Sequence, residues 1–386
     1  MIAVRPSGIP RTVFSEEHTL LRETARRFCE REIAPYHAQW ELDGQVSREV
    51  WRKAGEAGLL CMALPEEYGG ADADFRSSAV FIEELAKINA SGPAFSLQSD
   101  IVAPYILHYG SDEQKKKWLP RLASGETISA IAMTEPGTGS DLQSITTRAE
   151  RDGDSYLITG AKTFITNGVL SDLIIVVAKT DPTAGSRGVS LFLVERDMPG
   201  FTGAPGLKKL GLHAQDTAEF TMDRVRVPAS AVLGELGQGF KMLMSELPQE
   251  RMSIAVSAVA SAEAGLNATL AYTRDREAFG KRVLDFQNTR FTLATLKAQI
   301  AMARTFVDRC IELLCEGKLD AATAAMAKLE TTELQFRALD ACLQLHGGYG
   351  YMQEYPIAKA WADARVQRIY GGSNEIMREI VGRTLE

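Results

Sequence analysis

The apolar periodicity of this chain changes twice, and no other feature constrains its fold as strongly. Up to about residue 125 apolar side chains recur at helical spacing, as in FSEEHTLLRETARRFCEREIAP, which runs from an N-cap at Ser15 to a stop at Pro35. From about 126 to 236 short β-branched runs take over, and from 237 to 386 helical spacing returns. The sequence therefore predicts three domains, 1–125, 126–236 and 237–386, in the order α, β, α, and an α+β fold that is mainly α.

The middle region contains four strand-like runs, SYLITGAKTFITNG, DLIIVVAKT, VSLFLVE and AEFTMDRVRVP. Asp152-Gly153, just ahead of the first run, is a hairpin-turn signal. Short strands at this spacing are typical of a small sandwich or barrel. The long amphipathic stretches after residue 237 predict a helix bundle, with Pro248, Gly265 and Gly280 as interior breakers.

Composition excludes several classes of function. The net charge is −7, with 43 basic and 50 acidic residues, whereas nucleic-acid binders usually carry a basic excess, so no nucleic acid is expected. No window approaches ~18 consecutive apolar residues and the N-terminus lacks an apolar signal core, so neither a membrane span nor a signal peptide is predicted. The five cysteines form no Cys-x-x-Cys pair, which argues against a disulfide framework and favours a cytoplasmic location. No metal site is predicted.

The segment AMTEPGTGSD opens the β region. Gly137 and Gly139 permit a close approach of the backbone to a ligand, and Thr134 and Ser140 add hydroxyl groups. The pattern lacks the third glycine and the βαβ setting of a dinucleotide fingerprint. It is consistent with a ligand-binding loop, but the residues alone favour a structural turn.

Three further segments each admit a binding and a structural interpretation. In KTFITNG, Phe164 could stack on a flat ring to which Thr166 donates a hydrogen bond, but the residues alone favour a core aromatic on a strand. In RDREAFGKRVLDFQ, Arg276 and the cations around it suit phosphate, or they form a charged corner between helices. In QLHGGYGY, Gly347 and Gly348 offer backbone contacts to a phosphate or adenine, or they follow a helix C-cap.

Together and in this order, these segments resemble the acyl-CoA dehydrogenase family along nearly the whole chain. The similarity is closest to its long-chain and isovaleryl branch, through SGPAFSLQSDIV, LGLHAQDTAEF, LPQER, AFGKRV and the ending QLHGGYGYMQEYPIAKAWADARVQRIYGGSNEIM. The resemblance implies an N-terminal helical domain, a central β-barrel-like domain and a C-terminal four-helix bundle. It also implies a homotetramer, non-covalent FAD between the β domain and the bundle, and reoxidation by electron-transfer flavoprotein.

The resemblance further implies which residues contact FAD. One set would line the flavin and pyrophosphate or pack beside the ring: Ile131, Met133, Thr134, Gly139, Ser140, Phe164, Ile165 and Thr166. A second set would reach the FAD of a neighbouring subunit: Arg276, Phe279, Gln287, Gln344, Gly347 and Gly348. Ser373, Asn374 and Glu375 would close over the adenosine-side phosphates. Many relatives have tryptophan at the position of Phe164.

The reaction implied by the resemblance is α,β-dehydrogenation of an acyl-CoA thioester to a trans-2-enoyl-CoA, in which a carboxylate removes the α proton and the β hydride moves to the flavin. In many relatives that carboxylate follows the tyrosine of the IYGGSNE segment, where this chain has Gly371. Long-chain and isovaleryl relatives pair the small residue with a glutamate in a PQER-like segment, which implies that Glu250 is the base. The residues alone favour a solvated Glu250 beside Arg251 instead. The N–H of Gly371 would still polarise the thioester carbonyl.

The resemblance also implies contacts with the substrate. Such contacts would come from Ser140, Gln249, Arg251, Gly371 and Gly372, while the small residues Gly92 and Ala94 would widen the pocket for a long or branched acyl group. Three rival functions share these motifs: an acyl-CoA oxidase, a DNA-associated flavoprotein and a non-catalytic FAD-bound partner protein. The chain length disfavours the first and the net charge of −7 the second, and the third requires that no residue replaces the missing carboxylate.

Overall fold

The first part of the chain is helical in this computed structural model, which describes residues 9–385. Its α-helices are α1 (Glu16–Phe28), α2 (His37–Asp43), α3 (Arg48–Glu56), α4 (Phe75–Lys87), α5 (Ala103–Tyr109) and α6 (Asp112–Ala123). α1 begins after the predicted N-cap Ser15 and continues as a π-helical segment, Cys29–Ile33, that ends before Pro35. The prediction about a signal peptide concerns mainly residues 1–8, which lie outside the described residues.

α4 is buried almost all round because it separates two hydrophobic cores. Phe81 and Leu85 face the core of the helical region, where Trp51 meets Phe95 edge to face at 4.8 Å between ring centroids. Ile82, on another face of α4, packs into the core of the C-terminal helices. α4 is therefore fixed from both sides, and it forms one wall of the cavity described below.

The middle region forms an eight-stranded sheet in two halves. The strands are β1 (Ser129–Ala132), β2 (Arg148–Asp152), β3 (Ser155–Thr166), β4 (Leu173–Lys179), β5 (Val189–Glu195), β6 (Phe201–Gly203), β7 (Thr217–Pro228) and β8 (Val232–Leu233). One half has the order β6-β7-β3-β2, and the other joins β1, β4, β5 and β8. Within residues 9–385 the two halves are joined by strand pairing only at Arg148 and Lys179, and Tyr156 of one half packs on Phe192 of the other. The predicted hairpin at Asp152-Gly153 joins β2 to β3.

β4 is buried on both faces, which ties the sheet to the N-terminal helices. Ile174 and Val176 point into the core between the two halves of the sheet. Leu173, Ile175 and Val177 alternate with them and pack into the core of the helical region. This explains why the run LIIVVAK lacks the polar alternation of a strand with one solvated face.

The last part is a helix bundle, as predicted. Its helices are α7 (Gly239–Asp275), α8 (Gln287–Cys315), α9 (Ala321–Leu345), α10 (Pro356–Ala364) and α11 (Asn374–Gly382), and a small hairpin of β9 (Glu277–Ala278) and β10 (Lys281–Arg282) separates α7 from α8. Of the three predicted breakers only Gly280 lies at an interruption, since α7 continues through Pro248 and Gly265. A Cβ on Gly265 would lie 2.4 Å from Leu339 Cδ2, so this glycine serves the close approach of α7 and α9. Packing therefore outweighs the local preference to break the helix.

The order of elements confirms the predicted fold class and its helical, sheet and bundle regions. The domain boundaries stay predictions. By length and composition α7 could cross a membrane, but 56% of its most apolar window is buried inside the fold. A core helix of a protein in water passes the same test, and the predicted lack of a membrane span stays a prediction.

Candidate active site

A cavity of about 630 Å³ lies where the helical region, the sheet and the bundle meet. α4 and the segment after it contribute apolar groups, among them Ile82, Leu85 and Leu97. The sheet contributes backbone and side chains of 131–143 and 164–166, and the bundle contributes α7 and the segment 360–383. The cavity lining thus combines apolar side chains with polar groups, which suits an amphipathic ligand.

Glu250 is the buried carboxylate on the α7 side of this cavity. Its side chain is only 6% exposed, and the hydroxyl of Tyr105 donates a hydrogen bond to Oε1 at 3.0 Å. Burial raises the pKa of Glu250 to about 7; the charge of Glu246 adds to the rise, while the Tyr105 hydrogen bond and Arg251 oppose it. A solvated glutamate, which the residues alone favoured, is therefore wrong. The group is a carboxyl that exchanges its proton near neutral pH.

The other two acidic residues near the start of α7 do not compete with Glu250. Glu246 lies one turn earlier, outside the cavity lining, and its Oε1 is 2.9 Å from His108 Nδ1. Glu235 is exposed in the loop before α7. Asp363 on α10 is a buried carboxyl in the cavity, but its Oδ1 accepts the N–H of Leu212 at 2.5 Å and thereby anchors the segment before β7.

The turn at Gly371 and Gly372 packs against α7 one helical turn after Glu250. Both glycines have left-handed backbone conformations, with φ of +64° and +88°, which side chains other than glycine rarely adopt. A Cβ on Gly371 would lie 2.4 Å from Cδ1 of Ile254, which is one helical turn after Glu250 on the same face of α7. The small residue and the buried carboxylate therefore share one end of the cavity.

A buried lysine holds this turn in place. Lys328 on α9 is fully buried, and its Nζ donates to the carbonyl of Gly372 at 2.8 Å and to Asn374 Oδ1 at 2.8 Å. Burial, with a contribution from the charge of Arg251, lowers the pKa of Lys328 to about 8. Because the carbonyl of Gly372 is bound on the bundle side, the backbone of the turn has a fixed orientation toward the cavity.

The sheet presents its own loop to the same space. Lys162 Nζ, fully buried, donates to the carbonyl of Met133 at 3.0 Å and to Glu135 at 2.9 Å. Glu135 also accepts the N–H of Thr147 at 2.9 Å, so the loop that carries Gly139 and Ser140 is anchored at both ends. The AMTEPGTGSD segment is thus a structural turn whose open side lines the cavity.

Phe164 shows why the strand interpretation alone was incomplete. A core aromatic was favoured there, but Phe164 is 69% exposed, lines the cavity and has φ of +59°. A register shift between Lys162 and Ile165 breaks the alternation of β3 and turns the ring outward. A solvent-facing aromatic held this way on a rigid strand is a platform for a planar ligand.

The structure brings most of the predicted site residues together. Those that line the cavity are Ile131, Met133, Thr134, Gly139, Ser140, Phe164, Ile165, Thr166, Glu250, Arg251, Gly371, Gly372 and Ala94. Two predicted contacts face elsewhere. A Cβ on Gly92 would meet Ala214 and Val46 at 2.8 Å, so Gly92 is small because of packing and does not widen the cavity. Gln249 donates its side-chain N–H to the carbonyl of Asp100 at 2.8 Å.

The predicted phosphate-closing residues Ser373, Asn374 and Glu375 are not among those that line the cavity, and their role stays a prediction. Asn374 is 2% exposed, and its side chain bonds Lys328 and Glu333 inside the bundle, so that side chain is not available to a phosphate. Ser373 uses its hydroxyl to cap α11 by accepting the N–H of Ile376. Glu375 is exposed in the first turn of α11.

The second predicted FAD set lies outside this cavity. Arg276, Phe279, Gln287, Gln344, Gly347 and Gly348 are absent from its lining. Phe279, at the tip of the β9–β10 hairpin, is 96% exposed, and Arg276 lies 5.8 Å from the ring centre of Tyr349 beside the glycine segment. The hairpin and the glycine segment therefore lie side by side outside the lining of the chain's own cavity.

Three side chains that sequence reasoning missed define the site as strongly as those it found. Tyr105, Lys162 and Lys328 are fully buried and bond Glu250, the 133–135 loop and the Gly371–Gly372 turn, respectively. A lysine within an apolar helical pattern is the one signal that could have drawn attention to Lys328. Tyr105 gave no signal, because a buried tyrosine is ordinary in a core.

Buried polar atoms without partners test whether the cavity fits a large polar cofactor. Arg251 Nε, Gln335 Oε1 and Gln367 Oε1 are buried, lack hydrogen-bond partners among the described residues, and belong to residues that line the cavity. Such atoms are costly unless a ligand or water satisfies them. With the Phe164 ring and the anchored glycine loop, they fit a ligand with a planar ring and many hydrogen-bonding groups, as FAD has.

Comparison with known proteins agrees with this geometry. Family models of acyl-CoA dehydrogenases match three consecutive parts of the chain: the N-terminal domain at 15–126, the middle domain at 130–225 and the C-terminal domain at 237–386. This chain belongs to the acyl-CoA dehydrogenase family. It is similar to the mitochondrial long-chain specific acyl-CoA dehydrogenase of Rattus norvegicus, with 52% identity over 97% of this chain and 88% of that protein.

Solved structures of the family superpose closely on this acyl-CoA dehydrogenase. An acyl-CoA dehydrogenase from Geobacillus kaustophilus gives a TM-score of 0.96 at 49% identity, over 98% of this chain and 100% of that one. A glutaryl-CoA dehydrogenase from Mycobacterium smegmatis, in complex with FADH2, gives 0.91 at 31%, over 97% and 95%. A chain described with the electron transferring flavoprotein of Acidaminococcus fermentans gives 0.92 at 34%, over 96% and 98%. The predicted family, enzyme class and FAD cofactor are confirmed.

Proposed function

We propose that this acyl-CoA dehydrogenase uses Glu250 to remove the α proton of its acyl-CoA substrate. The observation that carries the proposal is a buried carboxyl with a pKa of about 7 at the end of the cavity where Gly371 replaces the usual carboxylate. A base near this pKa is available at neutral pH and still holds its proton well, which suits a weakly acidic carbon. The missing side chain at 371 leaves room for Glu250 to act from helix α7 instead of from the turn.

The thioester carbonyl needs a hydrogen bond where negative charge develops when the α proton leaves. We assign this role to the backbone N–H of Gly371, since the turn is oriented by Lys328 through the carbonyl of Gly372. Arg251, buried beside Glu250 with a free Nε, adds positive charge at the same end. When bound, FAD supplies the acceptor of the β hydride.

Two residue sets would hold the cofactor. Backbone groups of the 131–140 loop and of 164–166, with the Phe164 ring, support binding of the flavin and pyrophosphate within the chain's own cavity. Arg276 and the surface around it support contact with the FAD of a neighbouring subunit, since they do not line that cavity. We therefore propose a homotetramer. A monomer in light scattering that holds a full complement of FAD would contradict it.

We propose a long or branched acyl group as substrate. Support comes from the apolar wall of Ile82, Leu85, Ala94 and Leu97. A series of kcat/KM values over straight and methyl-branched acyl-CoAs tests this. Ala94→Leu, which fills part of the cavity beside the apolar wall, should move the preferred substrate to acyl groups with shorter chains. An unchanged preference would show that the acyl group binds elsewhere.

Electron-transfer flavoprotein as acceptor and a cytoplasmic location complete the proposal. Family membership supports the first, and five free cysteine thiols support the second. Anaerobic and aerobic turnover assays with electron-transfer flavoprotein separate a dehydrogenase from an oxidase. Fast oxygen consumption with acyl-CoA alone would favour the oxidase.

The assignment of the base is tested by comparing two buried carboxyls of the cavity. Glu250→Gln should bind FAD and acyl-CoA but fail to reduce the flavin, while Asp363→Asn should lose much less activity because its carboxyl anchors Leu212. Anaerobic mixing with acyl-CoA, followed by flavin absorbance, separates the two. The reverse order of effects would assign the base to Asp363.

A further inference from the structure

We propose that Tyr105 is a positioning residue that aims the Glu250 carboxylate at the α carbon of the substrate. The proposal rests on the role of Glu250 given above. Tyr105 is fully buried on α5 and does not line the cavity, whereas Glu250 does. Its hydroxyl therefore reaches Oε1 from the protein interior, at 3.0 Å.

This arrangement gives the two carboxylate oxygens of Glu250 different roles. Oε1 is held by Tyr105, and Oε2 accepts no hydrogen bond from the described residues and is not among their buried unpaired atoms. A glutamate side chain has three rotatable bonds, and one fixed oxygen removes most of that freedom. Oε2 is left as the proton acceptor that faces the cavity.

The anchor behind Glu250 is rigid because two neighbouring residues of α7 dock on the same segment. Gln249 donates to the carbonyl of Asp100 at 2.8 Å, and Glu250 accepts from Tyr105. Asp100 lies in the π-helical segment Leu97–Val102 that leads directly into α5. Together the two hydrogen bonds fix the position of this part of α7 along its axis and its rotation about that axis. They also give Gln249, which does not line the cavity, a structural role.

The choice of tyrosine matters because its hydroxyl is a neutral donor. On α5 the two carboxylates of α7 each find a partner: Tyr105 for Glu250, and His108, three residues later, for Glu246. The charged groups that face Glu250 are Glu246 and Arg251 of its own helix, and α5 contributes no cation to it. A cation at position 105 would lower the basicity of the carboxylate strongly, whereas a phenol orients it at a smaller cost.

Tyr105→Phe tests the inference in the FAD-loaded enzyme. The acidic limb of kcat/KM against pH should move up by about one pH unit, because the hydrogen bond to the charged carboxylate is lost. Above that limb, kcat should fall about tenfold through loss of alignment. KM and FAD content should stay unchanged. Tyr156→Phe, which removes the hydroxyl of a buried tyrosine in the sheet, is the matched control. It should leave both the position of the acidic limb and kcat as in the parent.

A second variant covers the case in which Tyr105→Phe fails to fold. Difluorotyrosine at position 105 keeps the ring and strengthens the donor, so the acidic limb should move in the opposite direction, to lower pH. An unmoved limb in the folded variants, or equal changes in Tyr156→Phe, would overturn the positioning role while Glu250→Gln stays inactive. An active Glu250→Gln would overturn both this inference and the proposed base.

Discussion

Replacing Glu250 by glutamine should lower activity and raise stability in one chain, and the structure gives a size for each effect. The carboxyl is 6% exposed, and its pKa is raised from 4.5 to about 7 by burial. Glutamine has nearly the same shape and can still accept the hydrogen bond from Tyr105, but it can neither ionise nor take a proton. We expect kcat to fall at least ~10³-fold, roughly 4 kcal/mol of barrier.

The stability effect depends on pH, and its sign follows from the raised pKa. Below pH 4.5 Glu250 is protonated in the folded and the unfolded chain, so it imposes no penalty on folding. As the pH rises from 4.5 to 7 the unfolded chain ionises Glu250 while the folded chain keeps its proton, and about 3 kcal/mol of stability is lost across this range, after which the penalty is constant because both states are charged. Glu250→Gln removes this penalty. Its advantage in Tm should therefore be near zero at the acidic end and largest above pH 7.

Thermal unfolding of both chains across this pH range measures the stability effect, and anaerobic flavin reduction by acyl-CoA measures the activity effect. Glu235→Gln is the matched control, since it makes the same chemical change at an exposed position and should alter neither result. A Tm difference that does not vary with pH would show that Glu250 is not a buried, proton-holding carboxyl. Turnover close to that of the parent would show that another group is the base.

Three further outcomes follow from the same geometry. Gly371→Glu in the Glu250→Gln background should restore part of the rate and lower Tm, since φ of +64° strains a side chain by about 1 kcal/mol; adding Ile254→Ala should raise the recovered rate, because Ile254 Cδ1 lies 2.4 Å from the new Cβ. Lys328→Gln should lower kcat more than it weakens acyl-CoA binding, since the Gly372 carbonyl loses its hydrogen bond from Lys328 Nζ. A rise in KM with an unchanged kcat would refute this. Arg276→Ala should lower FAD occupancy through loss of a charge-assisted partner, and unchanged flavin content would exclude the contact.

Much of the cavity lining was predictable because it lies on a few continuous segments. The loop from Ile131 to Ser140 and the strand end at 164–166 carry a local pattern of glycine, hydroxyl and aromatic residues that resembles the family directly. Glu250 was found in the same way, through the segment PQER and the absence of a carboxylate at Gly371. Its burial was not found, because a glutamate followed by Arg251 has the pattern of a solvated pair.

The sequence by itself determined the order of helical, sheet and bundle regions, because apolar periodicity is a local property that each segment carries alone. Only the tertiary structure decided which side chains meet. Tyr105 and Glu250 are 145 residues apart, and Lys328 and the Gly372 carbonyl 44 apart, so no local pattern relates them. Gly92 is a small residue of the kind expected to widen a pocket, yet a Cβ there would meet the packed side chain of Val46. A side chain becomes buried, and meets partners from distant helices, only when the helices and the sheet pack together. For Glu250 this packing sets the basicity of the carboxylate and the direction in which it points.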